Sequence, residues 1–227
     1  MKTQSPRIFE TRDGSHSIFS ETHGVSYHSK YGAVQESQHV FIEAGLYYKM
    51  RGKKQLSVLE IGLGTGLNAF MTLLEAERHQ IRIDYTAVEA FPIGLEEAAQ
   101  LNYPQALQAG QWQDSFLPLH ACPWEQTCPL SPHFNFLKLQ RKFEELAFPE
   151  SFDVIYFDAF APGAQPELWE PPVMETMYRA LQPEGVLTTY CAKGSVKRTF
   201  KALGFTIEAL PGPPGKREMT RALKPGI

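Results

Sequence analysis

The chain has 227 residues, of which 43% are hydrophobic and 21% are charged. This composition is typical of one globular domain of ordinary size and excludes wholesale disorder. No apolar run approaches the ~20 residues of a membrane-spanning helix, and the polar N-terminus is unlike a signal peptide. Three cysteines exclude a disulfide scaffold and are typical of a reducing cytosol, so we expect a cytoplasmic protein.

The charges are distributed unevenly along the chain. The net charge is −3 overall, yet residues 193–227 carry +6 and residues 1–192 carry −9. The overall balance gives no nucleic-acid signature, whereas a basic C-terminal face could hold a phosphate backbone locally. A solvated charged surface explains the same pattern. Composition therefore leaves both interpretations open.

The first 50 residues predict a small β/α extension packed on the main domain. Two short strands, 7–11 and 16–19, flank Asp13-Gly14, a dipeptide typical of hairpin turns. Helical spacing of apolar residues follows over 33–48. We assign residues 1–50 to this extension and residues 51–227 to the main domain.

The main domain alternates predicted strands with predicted helices. The strands cover 56–61, 81–88, 134–139, 152–157 and 186–190. The helices cover 67–77, 93–107, 172–181 and 195–203. This alternation predicts an α/β fold with a mostly parallel sheet. Segments 205–210 and 216–223 predict a C-terminal antiparallel strand pair, and the proline-rich segment 110–133 predicts a structured insertion loop.

The segment LEIGLGTGLN, residues 59–68, predicts a ligand-binding loop between a strand and a helix. Gly62, Gly64 and Gly66 let the backbone turn tightly and approach a ligand, and the helix N-terminus offers free N–H groups. The GxGxG spacing is not the dinucleotide fingerprint. Glu60 beside the loop favours a cationic ligand over a pyrophosphate. S-adenosylmethionine, which carries a sulfonium and an ammonium group, fits that charge; a purely structural turn is the alternative.

Two further acidic residues end predicted strands. Glu89 lies 23 residues beyond Gly66, at the position where an acid accepts ribose hydroxyls in nucleotide-binding sheets. Asp158 follows the apolar run 154–157 and would face the reactive end of the cofactor. A carboxylate there can orient an amine, stabilise the developing cation and help remove its proton. A solvated carboxylate and a helix cap are the structural alternatives for these two residues.

The histidines and cysteines give no comparable signal. His120, Cys122, Cys128 and His133 lack the Cys-x2–4-Cys spacing of familiar zinc sites, so we expect no metal. Cys191 ends an apolar strand, which predicts a buried thiol.

Four segments together resemble the methyltransferase domain of MnmC-type tRNA-modifying enzymes. They are GLGTGLN (62–68), VEAFP (88–92), FDAFAPGAQPELW (157–169) and GKREM (215–219), with VSYHSKYGAVQESQHVFIEAGL (25–46) as an N-terminal counterpart. The resemblance implies a class I Rossmann-like methyltransferase that uses S-adenosylmethionine. The implied reaction converts 5-aminomethyl-(2-thio)uridine to 5-methylaminomethyl-(2-thio)uridine at the wobble position of tRNA.

The resemblance also implies roles for individual residues. The cofactor loop would comprise Glu60, Gly62, Gly64, Gly66 and Asn68. Glu89 and Phe91 would hold the ribose and adenine, and Asp158 would lie at the amine. Phosphate near the tRNA anticodon would meet Lys193, Lys216 and Arg217.

Two departures from the family pattern are visible. Lys142 stands where relatives usually have an Asp near the adenine, so Asp114 is a candidate replacement. No second glycine fingerprint follows, which predicts a stand-alone form without the FAD-dependent oxidase domain and without FAD. Two alternatives remain open: a small-amine methyl- or aminopropyltransferase, and a non-catalytic tRNA-binding relative.

Overall fold

The N-terminal extension begins with a small antiparallel sheet. The computed structural model describes residues 7–226, so residues 1–6 of the predicted extension lie outside the described part. The sheet comprises β1 (Arg7–Glu10), β2 (His16–Ser20) and β3 (Val25–Ser26). The predicted hairpin is confirmed, since β1 and β2 pair antiparallel across the Asp13-Gly14 turn. The Asp13 carboxylate accepts the Ser15 backbone N–H at 3.0 Å and so fixes this turn.

A continuous helical segment follows the small sheet, as predicted. It comprises α1 (Ala33–Ser37), a π-helix (Gln38–Leu46) and α2 (Tyr47–Met50). The π-helical part is buried against the central sheet, where the Phe41 and Tyr156 ring centroids are 5.2 Å apart. The extension and the central sheet therefore share one hydrophobic core.

Eight strands form the central sheet: β4 (Gln55–Ile61), β5 (Arg82–Val88), β6 (Cys128–Ser131), β7 (Phe134–Leu139), β8 (Phe152–Phe157), β9 (Leu181–Thr189), β10 (Thr206–Pro211) and β11 (Glu218–Leu223). Their order is β10-β11-β9-β8-β4-β5-β7-β6. The five central strands are parallel to one another: β9, β8, β4, β5 and β7. At the two edges, β10, β11 and β6 pair antiparallel with their neighbours. The predicted α/β class and C-terminal antiparallel pair are confirmed.

Both faces of the sheet are covered, which explains the nearly continuous apolar runs of the strands. Neighbouring residues of β4 show this directly: Val58 and Leu59 are both fully buried, but they belong to hydrophobic clusters on opposite faces. The remaining helices are α3 (Leu67–His79), α4 (Leu95–Ala98), α5 (Tyr103–Ala106), α6 (Phe116–Ala121), α7 (Pro171–Ala180) and α8 (Gly194–Ala202). No helix described for residues 7–226 is long and apolar enough to cross a membrane.

The prediction of one helix over 93–107 is wrong, because two single-turn helices, α4 and α5, occupy this region. Asn102 separates them: its side chain accepts the His16 N–H and donates to the Gly14 carbonyl, both at 2.8 Å. Pro104 then lies in the first turn of α5, where its missing N–H costs nothing. Tertiary contacts with the N-terminal hairpin therefore override the local helical pattern.

The segment 110–133 is more regular than an insertion loop. It contains a 3-10 helix (Gly110–Ser115), then α6, and finally β6, which extends the sheet beside β7. Phe116 and Leu119 of α6 are buried in the core. The segment thus covers one edge of the sheet.

Candidate active site

The carboxyl ends of β4, β5 and β8 meet at one pocket, as expected for a parallel sheet. The pocket is lined by His23, Tyr27, His28, Gly62, Leu63, Gly64, Thr65, Glu89, Ala90, Phe91, Phe143, Asp158, Ala159, Phe160, Gln165 and Leu168. The pocket therefore combines the predicted loop and strand-end acids with aromatic residues from the N-terminal extension.

Close packing explains two of the loop glycines. A Cβ on Gly62 would lie 2.9 Å from the Asp158 carbonyl oxygen, and its φ is +90°. A Cβ on Gly64 would lie 2.9 Å from the Tyr27 ring, and its φ is +51°. Neither position accommodates a side chain without a shift of its neighbours. The glycines thus let the loop pack against other parts of the protein, a reason that the sequence pattern did not reveal.

Thr65 anchors the glycine loop from three directions. Its hydroxyl lies 2.7 Å from His28 Nε2 and accepts a hydrogen bond from the Tyr103 hydroxyl at 3.0 Å. His120 Nε2 lies 3.2 Å from the Thr65 carbonyl. Burial lowers the pKa of both histidines to about 4, so both are neutral at pH 7. Neutral His28 can accept the Thr65 proton, which completes the chain from Tyr103 through Thr65 to His28.

Glu89 ties the glycine loop to the end of β5. Its two carboxylate oxygens accept the backbone N–H groups of Gly64 and Phe91, each at 2.9 Å. Each oxygen retains a lone pair that can accept a further hydrogen bond from a ligand hydroxyl. Phe91 is 65% exposed at the pocket wall, and Phe143 lines the pocket as well. An acid beside exposed aromatic faces fits a ribose joined to a purine.

Asp114 does not lie where it could replace the missing Asp near the adenine. Asp114 is exposed and lines a different surface cleft, together with Pro104 and Leu117. Lys142 is exposed too and does not line the pocket, whereas its neighbour Phe143 does. The wall next to Phe91 is therefore apolar at this point.

Asn68 links two buried carboxyl groups. Its Nδ2 donates to Glu60 Oε1 at 3.0 Å and to Asp158 Oδ2 at 2.8 Å. Burial, followed by repulsion from Asp158, raises the pKa of Glu60 well above its usual value. Burial, followed by repulsion from Glu36, raises the pKa of Asp158 to about 7. Both shifts favour the protonated carboxyl group, and Asp158 can take up and release a proton near pH 7.

The predicted contact of Glu60, Gly66 and Asn68 with the cofactor is not supported by their placement. None of the three lines the pocket, and Glu60 is fully buried behind it. Side chains alternate along β4 and the carboxylate points to the interior, towards Asn68 on α3. Asn68 instead orients Asp158 through its hydrogen bond, and the Asp158 carboxylate does line the pocket.

The N-terminal extension supplies an aromatic wall that the sequence reasoning missed. Phe160 packs against His23 and Tyr27, with ring centroids 4.5 Å and 5.1 Å apart. Burial and repulsion from Glu89 raise the pKa of Tyr27 to about 12, so its hydroxyl keeps its proton. Tyr27 and Phe160 lie in segments 25–46 and 157–169 of the family resemblance, but no signal in the sequence pointed to His23.

The predicted phosphate-binding residues line an open groove next to the pocket. Lys193, Lys216 and Arg217 lie there with Pro162 and Tyr190. Lys193 and Arg217 are exposed.

Lys216 differs from these two, because its ammonium pairs with the buried Glu36 at 2.6 Å and lies 3.8 Å from the Tyr190 ring centroid. This engagement argues against Lys216 as a phosphate contact. It supports a role in joining the extension to the C-terminal turn.

No metal site is formed by the described residues. Among residues 7–226, no group of three His, Cys, Asp or Glu side chains could hold a metal ion. His133 instead lies 3.1 Å from the Glu77 carboxylate. Cys191 is buried, as predicted.

Comparison with known proteins agrees with this geometry. The family described as S-adenosyl-L-methionine-dependent methyltransferase matches residues 133–225. The tRNA 5-methylaminomethyl-2-thiouridine biosynthesis bifunctional protein MnmC of Cupriavidus necator is 31% identical over 90% of this chain and 32% of its own length. The MnmC protein of Aromatoleum aromaticum is 29% identical over 97% of this chain and 36% of its own length.

The chain is homologous to the methyltransferase domain of MnmC. It spans about a third of the length of these curated relatives. The crystal structure of MNMC2 from Aquifex aeolicus has the same fold, with a TM-score of 0.78 at 22% identity over all of this chain and 73% of the other. The matched family is described as dependent on S-adenosyl-L-methionine, which agrees with the cofactor predicted from the sequence.

Proposed function

We propose that this protein transfers a methyl group from S-adenosylmethionine to the amine of 5-aminomethyl-(2-thio)uridine at the tRNA wobble position. The relatives support this substrate, since they are named for the biosynthesis of 5-methylaminomethyl-2-thiouridine in tRNA. The observation that carries the proposal is the Asp158 carboxylate, which lies in the pocket with a pKa of about 7. A tRNA acceptor places the reaction in the cytoplasm.

The residues that line the pocket suit S-adenosylmethionine in their charge and in their apolar faces. Glu89 and Asp158 make its lining acidic, which favours a ligand with sulfonium and ammonium groups. Phe91 and Phe143 offer apolar faces for the adenine next to the carboxylate of Glu89. When bound, this cofactor supplies an electrophilic methyl group on sulfur.

Asp158 acts as the general base in this reaction. A primary amine attacks only with its lone pair free, so its ammonium form must first lose a proton. The Asp158 carboxylate can accept that proton and hold the amine, while the Asn68 hydrogen bond fixes the carboxylate orientation at 2.8 Å. Asp158 then releases this proton to solvent through the open pocket, and its carboxylate stabilises the secondary ammonium that methyl transfer creates at the nitrogen.

The aromatic wall excludes water from this step. His23, Tyr27 and Phe160 pack on one another at the pocket wall that includes Asp158. A drier site strengthens the attraction between the Asp158 carboxylate and a cationic amine. The wall also offers faces against which a nucleobase can stack.

The test is methyl transfer from labelled S-adenosylmethionine to tRNA that carries 5-aminomethyl-2-thiouridine, followed by mass spectrometry of the nucleosides. We expect 5-methylaminomethyl-2-thiouridine as the product. The matched substrate control is the same tRNA with unmodified uridine, which should accept no methyl group. The matched protein control is Asp158→Asn, which should bind the cofactor but transfer slowly.

Two results would overturn the proposal, and each corresponds to one alternative. Equally fast transfer to a free small amine would identify a small-amine transferase. Binding of the authentic tRNA without any transfer would identify a non-catalytic tRNA-binding relative.

A further inference from the structure

Ion pairs neutralise much of the positive charge of the C-terminal segment, residues 193–227. Four of its basic side chains are paired with carboxylates, in Lys197–Glu218, Lys216–Glu36, Arg221–Glu208 and Lys224–Glu150. Among residues 7–226, Lys193 and Arg217 form no ion pair and are exposed at the groove. Two cations at a groove are few for a protein whose net charge is −3 and whose ligand is a polyanion.

The N-terminal extension presents two further exposed cations. Arg12 and Lys30 form no ion pair with the described residues. The Arg12 guanidinium carbon lies 4.7 Å, and the Lys30 ammonium 5.7 Å, from the centroid of the Tyr31 ring. Each cation is attracted to the face of the ring, and the Arg12 N–H donates to the Lys30 carbonyl at 3.1 Å, which brings the two residues together. The two like charges still repel each other, and a bound anion would relieve that repulsion. Their clustering suits an anionic ligand shared by both.

Tyr31 joins these cations to the groove. Its ring lies against Gly215, where a Cβ would overlap it. Gly215 directly precedes Lys216 and Arg217, both of which line the groove. We call Arg12, Lys30, Lys193 and Arg217 together the cationic track. The track runs from the extension, across the Gly215 turn, to the groove beside the loop that follows Asp158.

We propose that Arg12 and Lys30 bind the phosphate backbone of the tRNA, so that the N-terminal extension is part of the nucleic-acid interface. This inference rests on the function proposed above and specifies which surface holds that substrate. Both cations belong to the unit that also supplies His23 and Tyr27 to the pocket. One structural unit would then hold the backbone and shape the site of the reacting base.

The experiment measures tRNA affinity at several salt concentrations for the double variant Arg12→Gln/Lys30→Gln. Loss of two phosphate contacts should weaken binding about tenfold or more near 0.1 M salt and lower the slope of log K against log [salt] by about 1.5–2. The matched control is Arg51→Gln/Lys54→Gln, which removes the same charge from exposed residues just before β4. These residues lie at the amino ends of the parallel strands, whereas the pocket lies at their carboxyl ends. We expect this control to retain the wild-type slope.

A charge-preserving variant separates charge from folding. Arg12→Lys/Lys30→Arg should keep the wild-type slope, and melting temperatures should show that every variant is folded. Wild-type affinity and slope in Arg12→Gln/Lys30→Gln, or equal losses in both neutral double variants, would overturn this inference alone. Failure of the wild-type protein to bind the tRNA would overturn the proposed function together with it.

Discussion

Asp158→Asn should make the protein more stable at alkaline pH while it abolishes most of the activity. The folded protein holds the pKa of Asp158 at about 7, against 3.8 for the free side chain, mainly through burial. Each pKa unit corresponds to 1.36 kcal/mol, so an ionised Asp158 costs up to about 4 kcal/mol of folding free energy. One side of Asp158 faces the open pocket, so we expect about half of that cost, roughly 2 kcal/mol.

The cost depends on pH in a defined direction. The folded protein holds the Asp158 proton more tightly than the unfolded chain, so Asp158 lowers stability as pH rises from about 4 to about 7. Above pH 7 the cost is constant. Asparagine cannot ionise and can still accept the Asn68 hydrogen bond. The gain in unfolding free energy from Asp158→Asn should therefore be largest at pH 8 and fall below about 1 kcal/mol at pH 5.

Urea-induced unfolding and thermal melts at pH 5 and pH 8 measure this difference. For a chain of this length, 2 kcal/mol corresponds to about 4–8 °C in Tm at pH 8. Methyl transfer should fall about 100-fold or more, as is typical for loss of an acid–base group. An equal gain at both pH values, or a loss at pH 8, would refute the assignment of a raised pKa to Asp158.

The other end of the same strand provides the control. Asp153 is the second residue of β8, forms an ion pair with Lys53 and accepts the Ser57 N–H at 2.9 Å. Asp153→Asn removes a useful charge, so its Tm should decrease at pH 8. The same Asp→Asn change should thus raise Tm at Asp158 and lower it at Asp153. Opposite shifts of Tm would show that the charge environment causes the effect, because a general effect of replacing Asp by Asn would have the same sign at both positions.

Three further predictions concern the pocket and the groove. Glu89→Gln removes the negative charge beside the proposed ribose, so calorimetry should show about tenfold weaker S-adenosylmethionine binding; unchanged affinity would contradict its role. Gly64→Ala places a methyl group against the Tyr27 ring, so it should reduce cofactor affinity less in a Tyr27→Ala background; an equal reduction would exclude that contact as the cause. Lys216→Glu breaks a buried ion pair and should lower Tm by several degrees, whereas Arg217→Glu should mainly weaken tRNA binding; equal Tm losses would contradict this distinction.

The family resemblance depended on short segments in which local sequence determines local structure. The glycine loop, the acid that ends β5 and the acid that follows β8 could be predicted, because strand ends and tight turns need particular residues at fixed spacing. The sequence pattern also predicted most strands and the class of the fold, since apolar runs separated by helical spacing imply a covered parallel sheet. For the same reason it predicted that Glu89 and Asp158 lie at one edge of that sheet.

Only the tertiary structure decided which groups act together. Glu60 lies behind the pocket, because the pleat of β4 and the position of Asn68 set the direction of its side chain. Lys216 is 180 residues from Glu36 in sequence, so no local pattern shows that they pair. The cation cluster at Tyr31 likewise meets the groove only because the Tyr31 ring packs against Gly215, 184 positions further along the chain. Long-range contacts of this kind form only when the core brings distant segments together, and they determine the charge that each side chain presents to a ligand.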